Sequence, residues 1–318
     1  MSVIIVAHCD SANLRLVVER LRLQTAASVL EFVLVTPDDA VASAIGAAGH
    51  GLAGVRVVIL QAIEDAGSAK AAGIKAAASP LVAFLEDHSL PANTWAESLI
   101  KAHAEGDYAA VGPVVQNANP GTSASWGCFL VYYGQYMFAR PQAELRHLPA
   151  NHTCYRRSVL LEYGPRLSDM MEAEFVLHGD LLDRGLQIRQ DPKARAYHIN
   201  HPRLAPTLVE YWFASRVFAA ERAARWKRLR KLTYFFGSPL IPFVRSLRIV
   251  RDAVRGGAGW PVLARSLPAV FVILAVGTAG EMAAYALGGG DARARLKSFE
   301  SRRHAYITRQ DLESAARI

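Results

Sequence analysis

Leu81–Pro91, LVAFLEDHSLP, is the stretch that decides how the chain is read. An apolar run from Leu81 to Leu85 stops at Glu86-Asp87-His88, and Pro91 follows three residues later. A short apolar run bounded by turn residues reads as a buried strand. Acidic residues at the carboxyl end of such a strand face the crevice where open α/β sheets hold ligands. Two carboxylates and an imidazole there are ligands for a cation, and a bound cation can hold a diphosphate. A solvated loop with an incidental acidic pair is the alternative, and the tripeptide alone favours it.

The neighbouring segments give the tripeptide a context. Ser2–Ala7, Phe32–Val35 and Val55–Leu60 read as further buried strands. Between them, Leu14, Val17, Val18 and Leu21 share one helix face, capped by Ser11 or Asn13, and Ala66–Ala78 is a second helix. Strands alternating with helices predict a mostly parallel sheet covered on both faces. The glycines at 46, 49, 51 and 54 precede a strand instead of opening a helix after one, so they read as a flexible connection and not as a dinucleotide fingerprint. Ala92–His103 is an amphipathic helix and Ala109–Val115 a strand, whereas Asn117–Pro149 has little regular pattern. Asp169–Arg184 reads as one helix closed by Gly185, followed by short strands at Ile188 and Ala194–Ile199.

Composition narrows the function. With 52% apolar and 20% charged residues over 318 positions, the chain is not disordered. The net charge of +8 is uneven: from residue 201 onward 20 Lys and Arg face 8 Asp and Glu, so the first 200 residues carry −4. A basic C-terminal third interleaved with Trp, Phe and Leu suits an anionic membrane surface and not nucleic acid. Cys9, Cys128 and Cys154 lack C-x-x-C spacing, which predicts a reducing compartment without disulfides or a zinc knuckle. The N-terminus has no basic region before its five-residue apolar run, so it reads as a first strand and the catalytic part as cytoplasmic.

The order SVIIVAHCD, FVLVTPDD, SAKAAGIKAAASPLVAFLEDHSLPANTW, AAVGPVV, NHTCYRRSVLLEYG, EAEFVLHGDLLDRG and AYH resembles a bacterial family 2 glycosyltransferase over about residues 1–200. The resemblance implies an A-type glycosyltransferase (GT-A) fold, a nucleotide-diphosphate sugar donor (UDP, GDP or dTDP), Mn²⁺ or Mg²⁺, and inversion at the anomeric carbon. It places the donor beside Ala7, His8, Thr36, Asp38, Lys70, Glu86 and Asp87, and the metal at Asp87, His88 and His198. It assigns the base to Glu174, with Glu172 second and Asp169 third, and borders the acceptor with Asn151 and His152, while Trp126 in the irregular stretch reads equally as an aromatic packing the acceptor or as local core. The sequence departs from the family pattern in reading Glu86-Asp87-His88 for Asp-x-Asp, Thr36 for an aspartate, Lys70-Ala71 for Arg-Asn, and Glu172-Ala173-Glu174 for Glu-Asp. Arg156 and Arg157 read as helix-capping surface arginines, with phosphate neutralisation as the alternative.

Residues 1–203 are thus expected to form the catalytic domain, 204–290 a helical membrane-associated region, and 291–318 a polar, mobile tail. Thr207–Lys231 reads as one interfacial helix, and Leu232–Val244, with Pro239 and Pro242, as a re-entrant or surface-inserted turn. Leu267–Gly290 is apolar except for Glu281, whose insertion costs roughly 2.5–3.5 kcal/mol. Pro268, Gly277 and Gly280 weaken the helix further, so this segment reads as a membrane-embedded or interfacial hairpin. The expected function is sugar transfer to a lipid-linked or envelope polysaccharide acceptor at the cytoplasmic face of the inner membrane. A non-catalytic nucleotide-sugar-binding scaffold is the competing reading, separable by donor hydrolysis. A nucleotidyltransferase lacks the glycine-rich segment it would need after Ala7.

Overall fold

Residues 1–48 and 51–318 are described by a computed structural model of the chain. Gly49 and His50, from the glycine-rich connection, lie outside the described residues. The apolar runs form strands β1 (Ser2–Val6), β2 (Glu31–Thr36), β3 (Gly54–Ile59) and β4 (Leu81–Phe84). Helices α1 (Ala12–Arg22), α2 (Asp39–Ala48) and α3 (Ala66–Ala76) connect them. Ser11 caps α1 by accepting from Leu14 N at 3.1 Å, while Asn13 is buried within the helix. Later come β5 (Ser89–Pro91), α4 (Trp95–Glu105), β6 (Tyr108–Asn117) and α5 (Ser123–Tyr132). They are followed by β7 (Cys154–Arg156), α6 (Arg157–Leu161), α7 (Leu167–Glu172), α8 (Glu174–Asp183) and β8 (Gln187–His198).

The eight strands form one sheet in the order β3-β2-β1-β4-β7-β6-β8-β5. It is more mixed than the expected mostly parallel sheet. Strands β3, β2, β1 and β4 are parallel, whereas β4–β7, β6–β7 and β5–β8 are antiparallel pairs. The chain leaves β1 toward β2 and β3, then returns to place β4 on β1's other side. That reversal creates a crevice at the carboxyl ends of β1 and β4. Helix α3 packs close to the sheet because it is small: a Cβ on Gly73 would lie 2.6 Å from Ile4 Cγ2.

Several predicted boundaries move. The helix expected over Asp169–Arg184 breaks at Ala173 (φ −120°, ψ 65°) into α7 and α8, sending Glu172 and Glu174 to different surroundings. The two short strands are one, β8. It runs through Pro192, and β5 pairs with its last residues, Ala196–His198. Within the irregular stretch, Ser123–Tyr132 is helical.

By compactness the chain forms two units: residues 1–116, 138–198 and 315–318, and residues 117–137 and 199–314. The second contains α5 and helices α9 (Leu204–Arg222), α10 (Arg228–Gly237), α11 (Ile241–Arg255), α12 (Trp260–Leu287), α13 (Ala292–Glu300) and most of α14 (Arg309–Ala316). Thus Thr207–Lys231 is two helices, and the tail is helical. Leu232–Val244 is helical too, since Pro239 and Pro242 fall in the first turns of a 3₁₀ segment and of α11, where no intrahelical N–H is needed.

The predicted hairpin at Leu267–Gly290 is instead part of the 28-residue helix α12, which continues through Pro268. Its glycines serve close packing: Cβ atoms on Gly277 and Gly280 would meet the Tyr211 ring at 2.4 Å and Trp212 O at 2.6 Å on α9. Glu281 is buried and accepts from Arg222 at 2.9 Å, which offsets the cost of its charge.

Candidate functional site

The site grows from the carboxyl end of β4. Ser89 N donates to Glu86 O at 3.1 Å, closing the Glu86-Asp87-His88 turn that leads into β5. In the β5–β8 register Ser89 lies opposite His198, so strand pairing carries that histidine to the turn. The loop before β7 brings Asn151 and His152. It is held by Thr153 Oγ1 donating to Pro149 O at 2.9 Å and by Phe84 N donating to Thr153 O at 3.2 Å.

Three imidazoles surround one carboxylate. Glu86 Oε2 lies 3.2 Å from His198 Nε2, 3.6 Å from His88 Nε2 and 3.7 Å from His152 Nε2. Burial raises the Glu86 carboxyl, but His88, His198 and His152 outweigh it and hold the group well below the usual range. Glu86 Oε1 accepts from Asn151 Nδ2 at 2.9 Å.

The tautomers follow from the partners. His88 Nδ1 lies 2.7 Å from Asp87 Oδ1, an acceptor, so Nδ1 carries a proton and in the neutral ring the lone pair is on Nε2, facing the cluster. That Nε2 is buried and has no hydrogen-bond partner among the described residues. His152 Nδ1 donates to Ala150 O at 2.9 Å, which leaves Nε2 to accept from Ser89 Oγ at 2.8 Å. Burial lowers the His152 pKa despite the pull of Glu86.

Ligand atoms of Glu86, His88 and His198 lie within 4.8 Å of one another, a spacing that one shared cation can bridge. The lone pair on His88 Nε2, set by a carboxylate on the opposite ring nitrogen, is the arrangement that metal-binding histidines adopt. The residues therefore fit a divalent ion. Asp87, expected as a ligand, is engaged with His88.

Behind this cluster lies a buried network. Lys70 Nζ donates to Glu174 Oε1 at 2.7 Å, Asn151 N donates to the same oxygen at 3.0 Å, and Tyr155 Oη donates to Glu174 Oε2 at 2.7 Å. His178 Nδ1 accepts from Leu148 N at 3.4 Å, and its Nε2 donates to Tyr155 Oη at 2.8 Å. Burial raises the Glu174 carboxyl, but Lys70 and then His178 bring it below its usual value. Both carboxylate oxygens of Glu174 are thus occupied, although the resemblance made it the base. Lys70, expected at the donor, is spent on Glu174.

The other expected residues have identifiable local roles. Glu172 is exposed, and its Oε2 accepts from Gly67 N at 2.8 Å in the first turn of α3. Asp38 Oδ1 accepts from Ala40 N at 2.8 Å, and Thr36 Oγ1 accepts from Asp38 N at 3.2 Å, so both organise the start of α2. Ala7 is buried, donating N–H to Val35 O at 3.0 Å, and His8 is half-buried. Cys9 is raised by burial and then by Asp87, which places the end of β1 near the acidic turn. Trp126 lies on α5 in the helical unit, edge-on to Phe129 at 5.7 Å. Arg157 donates to Ile74 O at 2.8 Å and Lys75 O at 3.0 Å, capping α3, and Arg156 donates to Tyr108 O at 2.9 Å. The cysteines are free thiols.

The sequence reading missed Ser89, Tyr155 and His178. His178 was accessible, because it lies four residues after Glu174 on the same helix face. Tyr155 carried no local signal.

Two buried histidines set an acid limit. Burial pushes His178 and His103 down to about 4. In the unfolded chain both titrate near pH 6.5, so unfolding takes up protons between pH 6.5 and 4 and stability falls as pH drops through that window. Each histidine contributes about 3 kcal/mol of that loss at pH 4, at 1.36 kcal/mol per unit. Urea denaturation between pH 7 and 4 should show the decline, and His103→Gln should flatten it.

Comparison with known proteins agrees with this architecture. The family model for glycosyl transferase family 2 matches residues 2–164, half of the chain. No curated protein matches significantly. Among solved structures, the chain is similar to the mannosyltransferase PcManGT from Pyrobaculum calidifontis, in complex with GDP-Man and Mn²⁺. Identity is 16% over 99% of this chain and 85% of that one, with a TM-score of 0.50. GalNAc-T7 with UDP, GalNAc and Mn²⁺ is 18% identical over 62% of this chain and 42% of that one, at a TM-score of 0.48. The likeness to the mannosyltransferase concerns the fold, a GT-A sheet with helices, while the family match covers β1 through α6 and includes the acidic turn. By that family match, the chain belongs to glycosyl transferase family 2.

Proposed function

We propose that the protein transfers a sugar, with inversion, from a UDP-, GDP- or dTDP-linked donor to a lipid-linked or envelope polysaccharide acceptor. The observation that carries this reading is the Glu86–His88–His198 donor set at the carboxyl end of β4, where the sheet reverses its strand order. A divalent cation held there would offset charge on the departing diphosphate. Two imidazoles and one carboxylate suit Mn²⁺ better than Mg²⁺, which prefers oxygen ligands. Asp87 fixes the His88 ring, and Asn151 fixes Glu86. A thermal-shift panel of UDP-, GDP- and dTDP-sugars with and without Mn²⁺ tests the reading. Stabilisation by one donor, larger with Mn²⁺, supports it; no shift with any donor favours a scaffold.

An attacking hydroxyl needs a base for its proton. Of the two acidic residues implied by the resemblance, Glu174 is buried with both oxygens engaged, whereas Glu172, whose Oε2 accepts from Gly67 N, is exposed to solvent. Base duty therefore falls to Glu172. Glu172→Gln is expected to lower kcat by roughly 10²- to 10⁴-fold while leaving donor affinity unchanged. Comparable loss of donor affinity would reject this role.

The helical unit supplies a membrane seat at the cytoplasmic face. Residues 228–255 carry seven Lys and Arg against one acidic residue, Asp252. Within them Phe236, Leu240, Phe243 and Leu247 are 74%, 66%, 59% and 72% exposed. Helix α12 is long and apolar enough to cross a membrane, but one face is buried within the unit, so the surface reading rests on α10 and α11. Basic charge beside exposed apolar side chains matches an anionic bilayer. The protein should sediment with phosphatidylglycerol vesicles and much less with phosphatidylcholine alone. Phe236→Ser/Phe243→Ser/Leu247→Ser should abolish this, and equal binding to both vesicles would contradict the charge argument.

A further inference from the structure

Among described residues outside glycine, only Asn151 has a positive φ, 61°. Asparagine tolerates this left-handed conformation better than most side chains, but it still needs support. The support is visible on both sides of the residue. Its backbone N–H donates to Glu174 Oε1 at 3.0 Å, and its side-chain Nδ2 donates to Glu86 Oε1 at 2.9 Å. One residue thereby joins the buried carboxylate to the carboxylate of the cation cluster.

We propose that the Lys70–Glu174–Tyr155–His178 network is a positioning device that fixes the Asn151 turn and, through it, the orientation of Glu86. Every group in the network has a defined partner. Lys70 neutralises Glu174, Tyr155 holds Oε2, and His178 orients Tyr155. Oε1, which accepts from Lys70, also receives Asn151 N–H. The same turn lets His152 N donate to Pro149 O at 3.2 Å and His152 Nε2 accept from Ser89. Glu86 is thus held on one oxygen by Asn151 while its other oxygen faces His88 and His198. Glu174 accordingly acts on the site from behind and is a positioning residue.

The link to cation binding rests on the proposed function, so the test has two readouts on the metal-free full chain. Amide hydrogen exchange over residues 149–153 reports the turn, and the Kd for Mn²⁺, from the EPR signal of free Mn²⁺, reports Glu86. Lys70→Met/Glu174→Leu removes the acceptor without stranding a buried charge, whereas Lys70→Met/Glu174→Gln keeps an amide oxygen for Asn151 N–H. The Leu variant should speed exchange about ten-fold or more and raise the Mn²⁺ Kd roughly ten- to a hundred-fold, as loss of outer support does elsewhere. The Gln variant should restore both. Asn151→Gly retains a left-handed backbone but lacks the amide; it should raise Kd similarly with exchange still slow. Combining Asn151→Gly with the Leu variant should add little further to Kd, because both act through one contact. Unchanged exchange in the Leu variant would overturn the proposal whether or not Mn²⁺ binds. Altered exchange with no Mn²⁺ binding even by the unaltered protein would uphold the turn, overturn the link to a cation, and count against the proposed function. Additive Kd effects would show that Glu174 does not act through Asn151.

Discussion

Glu86→Ala is expected to abolish measurable Mn²⁺ binding and lower sugar transfer by at least about a hundred-fold, while the protein remains folded. Its carboxylate lies within 3.7 Å of three imidazole nitrogens and is the anionic member of the donor set. Removing it leaves the donor set with two imidazoles and no anionic ligand, so a dication brought beside them loses its main electrostatic support. Asp87→Ala provides the contrast. Asp87 orients His88 from the far side of the ring, and loss of such support costs roughly ten- to a hundred-fold in metal affinity. The expected order of damage is thus Glu86 above Asp87, the reverse of what an Asp-x-Asp reading gives. Isothermal titration with Mn²⁺ measures the order, and equal or greater loss in Asp87→Ala would mean that Asp87 itself binds the ion.

The second large effect concerns stability. Lys70 and Glu174 form a buried pair, with side chains 9% and 1% exposed. Lys70→Met leaves a carboxylate in the interior with only neutral donors, Tyr155 Oη and Asn151 N. Breaking one side of a buried pair costs about 3–5 kcal/mol, since the remaining charge is neither solvated nor neutralised. Lys70→Met/Glu174→Gln removes that charge and should recover most of the loss. Urea denaturation of the single and double variants checks this. A double variant as unstable as the single would show that the cost lies in packing around Lys70 and not in the stranded charge.

What was legible in the sequence was local. The parallel half of the sheet followed from runs such as Val3–Ile5 and Phe32–Val35, which are buried because helices cover both faces. Ser11 as a cap and Glu86-Asp87-His88 as the end of a buried strand were equally readable. The misread features depend on partners distant in sequence. Gly277, Gly280 and Glu281 looked like weaknesses in a helix, yet Tyr211, Trp212 and Arg222 on α9 give each a role. Glu174 looked like the aligned acid, but Ala173's backbone turns it inward to Lys70, 104 residues earlier. Periodicity could not show that break, because apolar spacing continues through it. Nor could it show that His198 meets the acidic turn, which depends on the β5–β8 register.

The central claim, that Glu86, His88 and His198 hold a divalent cation for a nucleotide-diphosphate sugar, is tested most directly by pulsed EPR of the Mn²⁺-loaded protein. Two imidazole nitrogen couplings to the manganese are predicted, reduced to one in His88→Ala and in His198→Ala and retained when the nucleotide sugar is added. Bound manganese without nitrogen coupling, or with coupling that neither substitution alters, would contradict it.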